Sequence, residues 1–155
     1  MSKQFPTQAQ VVIVGGGIVG CSLAYHLTKL GWSDVVLLER KQLTCGTTWH
    51  AAGLVGQLRA TQNMTKLAQY TAEMIGSLEE ETGQATGFAQ HGSLSLATSE
   101  GRFEELKRGA SMARVFGLEV DVISAKEAQA KWPLINIDDV VRSEERRVGK
   151  ECRSR

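Results

Sequence analysis

No run of apolar residues in this sequence approaches the length of about 20 that a bilayer span requires, so no segment reads as a membrane helix. Charge of one sign is also lacking: 18 basic against 17 acidic side chains leave a formal +1, which gives nucleic acid no electrostatic hold. Cysteine is scarce. Cys21, Cys45 and Cys152 fall at no metal-ligand spacing and outline no secreted disulfide framework. Cys21 and Cys45 read as small core residues in a reduced compartment. Before the first apolar run the only charged side chain is Lys3, so neither a signal peptide nor an arginine-rich transit peptide is visible. A bacterial cytoplasm is the expected location, or a mitochondrial matrix if a transit peptide precedes the given start.

What is present begins with Val11-Val12-Ile13-Val14, four apolar residues that predict a strand buried on both faces, as in a parallel sheet. Gly15-Gly16-Gly17-Ile18-Val19-Gly20 follows and satisfies G-x-G-x-x-G. The three fingerprint glycines serve different ends. Gly15 turns the chain, Gly17 lets a pyrophosphate approach the backbone, and Gly20 lets the next helix pack on the strand. Apolar residues at 18, 19, 23, 24, 27 and 30 predict a helix over Ile18 to Leu30, its positive end toward the phosphates, closed by Gly31. Val35-Val36-Leu37-Leu38 predicts a second buried strand. It ends in Glu39, nineteen residues past Gly20, where a carboxylate accepts hydrogen bonds from adenosine ribose hydroxyls. A lone fingerprint is weak; a strand before it, a helix after it and a closing acid make it a dinucleotide site. Arg40 admits three readings: a partner for the 2′-phosphate of NADP, a solvated charge, or half of a Glu-Arg pair typical of FAD sites.

Leu43 to Arg59 (LTCGTTWHAAGLVGQLR) resembles the flavin-attachment region of the sarcosine and dimethylglycine dehydrogenases, folate-linked members of the D-amino-acid-oxidase-like flavoproteins. The resemblance continues through Leu78 to Gly83, Gly92-Ser93-Leu94 and Trp132 to Asn136, covering roughly residues 9 to 141. Trp49-His50-Ala51-Ala52-Gly53-Leu54 is its most specific part. The resemblance implies that His50 carries FAD covalently, a neutral imidazole nitrogen attacking the electrophilic methide tautomer of the flavin ring at its 8α carbon. Gly46, Thr47, Thr48, Ala51, Ala52 and Gly53 are small enough for their N–H groups to reach the cofactor, while Trp49 shapes the pocket. Without these neighbours His50 would read as an ordinary loop histidine. Basic residues hold the substrate carboxylate in related amine-oxidising flavoproteins, so Arg59 is either that anchor or a solvated surface arginine. His26 and His91 read as structural.

Beyond the loop, Met64, Leu67, Ala68, Thr71, Met74, Ile75 and Leu78 predict one buried helix face, stopped by Gly83. Gly87–Gln90 and Ser93–Ala97 predict two strands of a hairpin. Phe103, Leu106, Ala110, Ala113 and Phe116 mark another helix, Val120–Ile123 a strand, and Ser124-Ala125-Lys126-Glu127 a capping box opening a helix that stops near Trp132-Pro133. Residues 142–155 (RSEERRVGKECRSR) are a different kind of sequence, six basic and three acidic with hardly an apolar one. They resemble the translation of a sequencing-library adapter and are expected to stand outside the natural fold. Setting them aside leaves twelve basic and fourteen acidic side chains, a formal −2, and an expectation that the natural chain continues past Val141.

The expected fold class is α/β: residues 1–60 form the first βαβ unit of an FAD-binding Rossmann-like domain with its flavin loop, and residues 61–141 open an α+β substrate domain. A first βαβ leaves strand edges and apolar faces unpaired, so the 155-residue product is expected to be poorly soluble or partly unfolded. The resemblance implies FAD-dependent N-demethylation of sarcosine or dimethylglycine. An electron-transfer flavoprotein or another acceptor would take the electrons, and a C-terminal part would bind tetrahydrofolate. The competing readings are a noncovalent flavin oxidase, an NAD-dependent dehydrogenase, and a noncatalytic regulatory relative expected to lack the Trp49-His50 pair.

Overall fold

The computed structural model describes residues 6–146, the last five through their backbone alone; Cys152 and the rest of the basic tail lie outside the described residues. The chain forms two compact units, Met1–Leu54 and Val55–Arg155, against an expected division at residue 60. Residues past Leu54 already serve the second unit, where Leu58 packs on the Ala110, Ala113 and Val120 cluster.

In the first unit β1 (Val11–Val14) pairs in parallel with β2 (Val35–Leu38), and α1 (Ile18–Lys29) crosses between them. The crossover length suits a helix, which is why two parallel strands in sequence come with one. Neither strand is buried on both faces, contrary to the expectation. Of β1 only Ile13 is buried, while Val14 is 84% exposed. Ile13 lies within 3.3 Å of the position a Gly20 Cβ would take, so its face is covered by the start of α1. Val12, Val36 and Leu38, together with Pro6–Ala9, instead line an open hollow of about 200 Å³.

In the second unit α2 (Gln62–Thr82) starts at Thr61, whose side chain accepts from the Met64 N–H, and ends at Gly83 in the left-handed region. Its buried residues are Thr65 and Ala72, two turns apart on one ridge. Met64 and Leu67, expected on the buried face, are exposed. Ala68, Thr71, Met74, Ile75 and Leu78 of that face are half-buried.

β3 (Ser93–Ala97), α3 (Glu100–Val115), β4 (Val120–Ile123) and α4 (Ala125–Lys131) follow. Ser99 caps α3, and Ser124 with Glu127 forms the expected capping box of α4. The expected hairpin is absent. Residues 84–92 form no strand, and Gly87 has a φ of 68°, which breaks an extended run. The partner of β3 is β5 (Arg142–Arg146), which runs antiparallel between β3 and β4. The first five residues of the tail set aside from the fold therefore supply a central strand. Ladder hydrogen bonds join backbone groups and ask little of side-chain type, so two strands flanking an open slot accept a charged one. Among the described residues no helix is long and apolar enough to cross a membrane.

Candidate functional site

The glycine turn of the first unit is held at both ends by backbone. The Gly15 N–H donates to the Leu38 carbonyl at 2.8 Å, joining the end of β1 to the end of β2, and Gly15 adopts a φ of 106° open chiefly to glycine. At Gly20 a Cβ would lie 1.9 Å from the Gly15 carbonyl oxygen. Only a residue without a side chain lets α1 begin this close to the turn.

Gly17 is the N-cap of α1 and supplies no side-chain cap. Among the described residues the N–H groups of Gly17, Val19 and Gly20 have no protein acceptor, while that of Ile18 donates to Thr48 Oγ1 at 2.9 Å. Open donors at a helix start, with the positive end of its dipole behind them, suit an anion such as a diphosphate.

Glu39 sits at the other edge of the turn. Its Oε2 accepts from the Gly16 N–H at 2.8 Å and its Oε1 from the Lys41 N–H at 2.9 Å. These bonds, the Gly16 one first, hold its carboxyl below the usual carboxylate range, with the Arg40 N–H and charge adding to the effect. Each carboxylate oxygen retains capacity for a further hydrogen bond, the geometry a vicinal diol needs. Arg40 is exposed beside it.

Gly16 occupies the first free position of the fingerprint, to which spacing alone assigns nothing. It is the buried hub of the site: a Cβ there would lie 2.5 Å from Leu43 Cδ2 and 3.1 Å from Glu39 Cβ. Its carbonyl also accepts from the Thr44 N–H at 2.8 Å and the Cys21 thiol at 3.4 Å. The only signal available in sequence was a third glycine where the fingerprint asks for two.

From Thr44, whose own φ is 64°, the chain passes through Gly46 into a 3-10 turn, Thr47–His50. Thr48, half-buried, ties this turn to α1 through the Ile18 N–H, and a Gly17 Cβ would lie 3.3 Å from its oxygen. His50 closes the turn and is exposed, as are Trp49 at 78% and Leu54 at 90%. Ala51, Ala52 and Gly53 continue as exposed coil. One face of the first unit thus carries open amides, an ionised carboxylate, a histidine and bare apolar side chains. That donor set suits the groups FAD carries, open amides for an anionic diphosphate and a carboxylate for ribose hydroxyls. Arg59 belongs to the second unit, where it is exposed. Among the described residues no cluster of His, Cys, Asp and Glu is arranged to hold a metal.

The chain is 46% identical over 140 residues to human mitochondrial sarcosine dehydrogenase, covering 90% of this chain and 15% of that protein. It is 44% identical to human mitochondrial dimethylglycine dehydrogenase (89% of this chain, 16% of the relative). It is 45% identical to the mouse mitochondrial pyruvate dehydrogenase phosphatase regulatory subunit (90% and 16%). The chain therefore spans about a sixth of the length of these relatives. Among solved structures, L-proline dehydrogenase from P. horikoshii superposes with a TM-score of 0.83 at 26% identity, over 92% of this chain and 37% of that one. The family model described as "FAD dependent oxidoreductase" matches residues 10–145, and with the fold and the glycine turn already described, this chain belongs to that DAO family.

Proposed function

We propose that this chain opens a flavoprotein that oxidises the N-methyl group of sarcosine or dimethylglycine and carries its FAD covalently on His50. The observation supporting this reading is the seat of His50. It is exposed at the end of a 3-10 turn that Thr48 bonds to the first amide of α1, beside the helix start that presents open N–H groups. A histidine tethered to the phosphate-binding end in this way has both the nucleophilic nitrogen and the location for cofactor attachment.

The roles divide by chemistry. The N–H groups of Gly17, Val19 and Gly20 hold the diphosphate, with Gly15 shaping the turn and Ile18 opening α1. Glu39 accepts from the ribose hydroxyls and is held ionised chiefly by the Gly16 and Lys41 N–H groups, with Arg40 beside it. Gly46, Thr47, Thr48, Ala51, Ala52 and Gly53 let the backbone approach the flavin, while Trp49 and Leu54 cover its apolar edge. Arg59 receives the substrate carboxylate. FAD held by these residues would supply a two-electron acceptor for hydride from the N-methyl carbon, and the substrate iminium so formed would pass that carbon to water as formaldehyde or to tetrahydrofolate. The partners are a small N-methyl amino acid, an electron-transfer flavoprotein or other acceptor, and tetrahydrofolate held outside the present residues.

The likeness to a phosphatase regulatory subunit supports a second reading, a flavin-fold protein without catalysis. Denaturing electrophoresis of the full-length protein separates the two. A fluorescent flavin band, lost on His50→Ala, is the expected result. Flavin released by denaturation would leave a noncovalent oxidoreductase, and a protein purified without flavin would favour the regulatory reading.

A further inference from the structure

Thr65 is the buried polar residue of the described chain, with no exposed surface. It lies in the first turn of α2, on the ridge that continues with buried Ala72. Packing alone would be satisfied there by an apolar residue of the same size, such as valine. The Thr65 hydroxyl instead engages one residue twice: it accepts from the Arg59 N–H at 3.1 Å and donates to the Arg59 carbonyl at 3.3 Å. Both backbone groups of residue 59 are therefore held by one side chain that is itself immobilised by burial.

The side chain of Arg59 has a prepared place as well. Its Nη1 donates to the Leu58 carbonyl at 3.1 Å. A Cβ at Gly56 would lie 3.3 Å from that same nitrogen, so glycine leaves the room the guanidinium occupies. Among the described residues Nε and Nη2 have no protein acceptor and no carboxylate pairs with the guanidinium. The outcome is an exposed planar fork with fixed backbone and two free donors, the form of arginine that binds a carboxylate bidentately.

We propose that Thr65 is a positioning residue that sets Arg59 for the carboxylate of the substrate. This rests on the reading of the protein as an N-methyl amino-acid oxidoreductase. Discrimination between amino acids and simple amines then originates in a buried hydroxyl that touches neither.

The test uses the full-length flavoprotein and the variants Thr65→Val, Thr65→Ser and Arg59→Ala. Three quantities are read: KM and kcat for sarcosine, the same for an N-methyl amine without a carboxylate, and the affinity for acetate followed by flavin absorbance. Exchange of the Arg59 amide hydrogen gives a readout independent of turnover. Thr65→Val is expected to raise the sarcosine KM and weaken acetate binding roughly tenfold, the scale of one lost hydrogen bond at a buried group. Its kcat and its handling of the plain amine should change less than about twofold, the Arg59 amide should exchange faster, and Thr65→Ser should restore all of these. The proposal is overturned if Arg59→Ala weakens sarcosine and acetate binding while Thr65→Val does not. It is equally overturned if Thr65→Val impairs the plain amine as much as sarcosine, because the role would then be general packing. Normal acetate and sarcosine binding by Arg59→Ala would remove the carboxylate role of Arg59 and Thr65 together. A wild-type protein that oxidises neither substrate would overturn the underlying functional reading, and its acetate titration would still report on Arg59.

Discussion

The two compact units reach close packing by opposite routes. In Met1–Leu54 the tight contacts are made by missing side chains: Gly20 brings backbone against backbone and Gly16 leaves room for the Leu43 and Glu39 side chains, while Val14, Val19, Trp49 and Leu54 remain bare. In Val55–Arg155 they are made by small side chains that are fully covered, Ala97, Ala110, Ala113 and Val120, with Leu106 beside them. The first unit leaves helix-start donors open; the second closes a core of small residues, though Met64, Leu67, Val115 and Leu134 stay exposed there as well. Open N–H donors at a helix start are groups that a bound anion would satisfy, and any such ligand would add to the stability of the turn. That linkage follows from the glycine turn, which cannot both fill its own space and admit a diphosphate.

The contrast can be broken at its sharpest point by Gly20→Ala. The added carbon would meet the Gly15 carbonyl at 1.9 Å, backbone against backbone, so the turn and the start of α1 must separate. Full-length protein carrying it is expected to purify without flavin and to lose about 3 kcal/mol or more of stability, read from flavin content and from urea unfolding. Normal flavin content would show that the turn is not the cofactor seat. Leu106→Ala tests the second unit. At 4% exposure it should lose about 2–4 kcal/mol through a cavity, with the stoichiometry of flavin unchanged in the folded fraction. An equal loss of flavin would mean that the two units are not independent in this respect.

The tail provides a third measurement, on how the second unit fills its sheet. The register sets Arg146 between Ser93 and buried Val120, and Glu144 between Ser95 and Val122. Charged residues are poorly suited to such central positions. Replacing Arg142, Glu144 and Arg146 together by valine is expected to raise the thermal midpoint, through a gain in stability of about 1 kcal/mol or more. We propose on the same ground that residues 142–155 stand outside the natural domain; an unchanged or lowered midpoint would count against that.

Acid sensitivity is the smallest of the expected effects and belongs to the first unit. Glu39 has its folded pKa lowered, chiefly by the Gly16 N–H, so its contribution is present above the ordinary glutamate pKa near 4.5 and is lost as pH falls through the lower folded value. Stability of the glycine turn should therefore rise with pH through the acid range and level off above about 4.5. Glu39→Gln should flatten that slope, measured as the pH dependence of urea unfolding. An unaltered slope would locate the acid sensitivity elsewhere.

Local patterns carried much of this structure. The ends of α1, the parallel run of β1 and β2, the Gly83 stop of α2, the extent of β4 and the Ser124 capping box are all readable in sequence, because each depends on residues within a turn or two of one another. The two-faced burial of β1 was not readable, since a run of valines is the same whether one face or both find a partner. Nor was the absence of a hairpin before β3: its apolar content invited a strand, and the strand that pairs with β3 here lies some fifty residues away in the chain.

The candidate site divides in the same way. Gly15, Gly17, Gly20, Glu39 and the Trp49-His50 pair are marked by spacing and residue type alone. Gly16 as the hub, Thr48 as the tether between turn and helix, and Thr65 as the clamp on Arg59 are not. Sequence by itself determined which backbone conformations were allowed, where helices begin and end, and which chemistry was available. Only the tertiary structure decided which groups meet, which strand fills the middle of the second sheet and which apolar faces stay open. Those outcomes depend on contacts between distant residues, where the hydrophobic effect and backbone hydrogen bonding favour closure but name no particular partner.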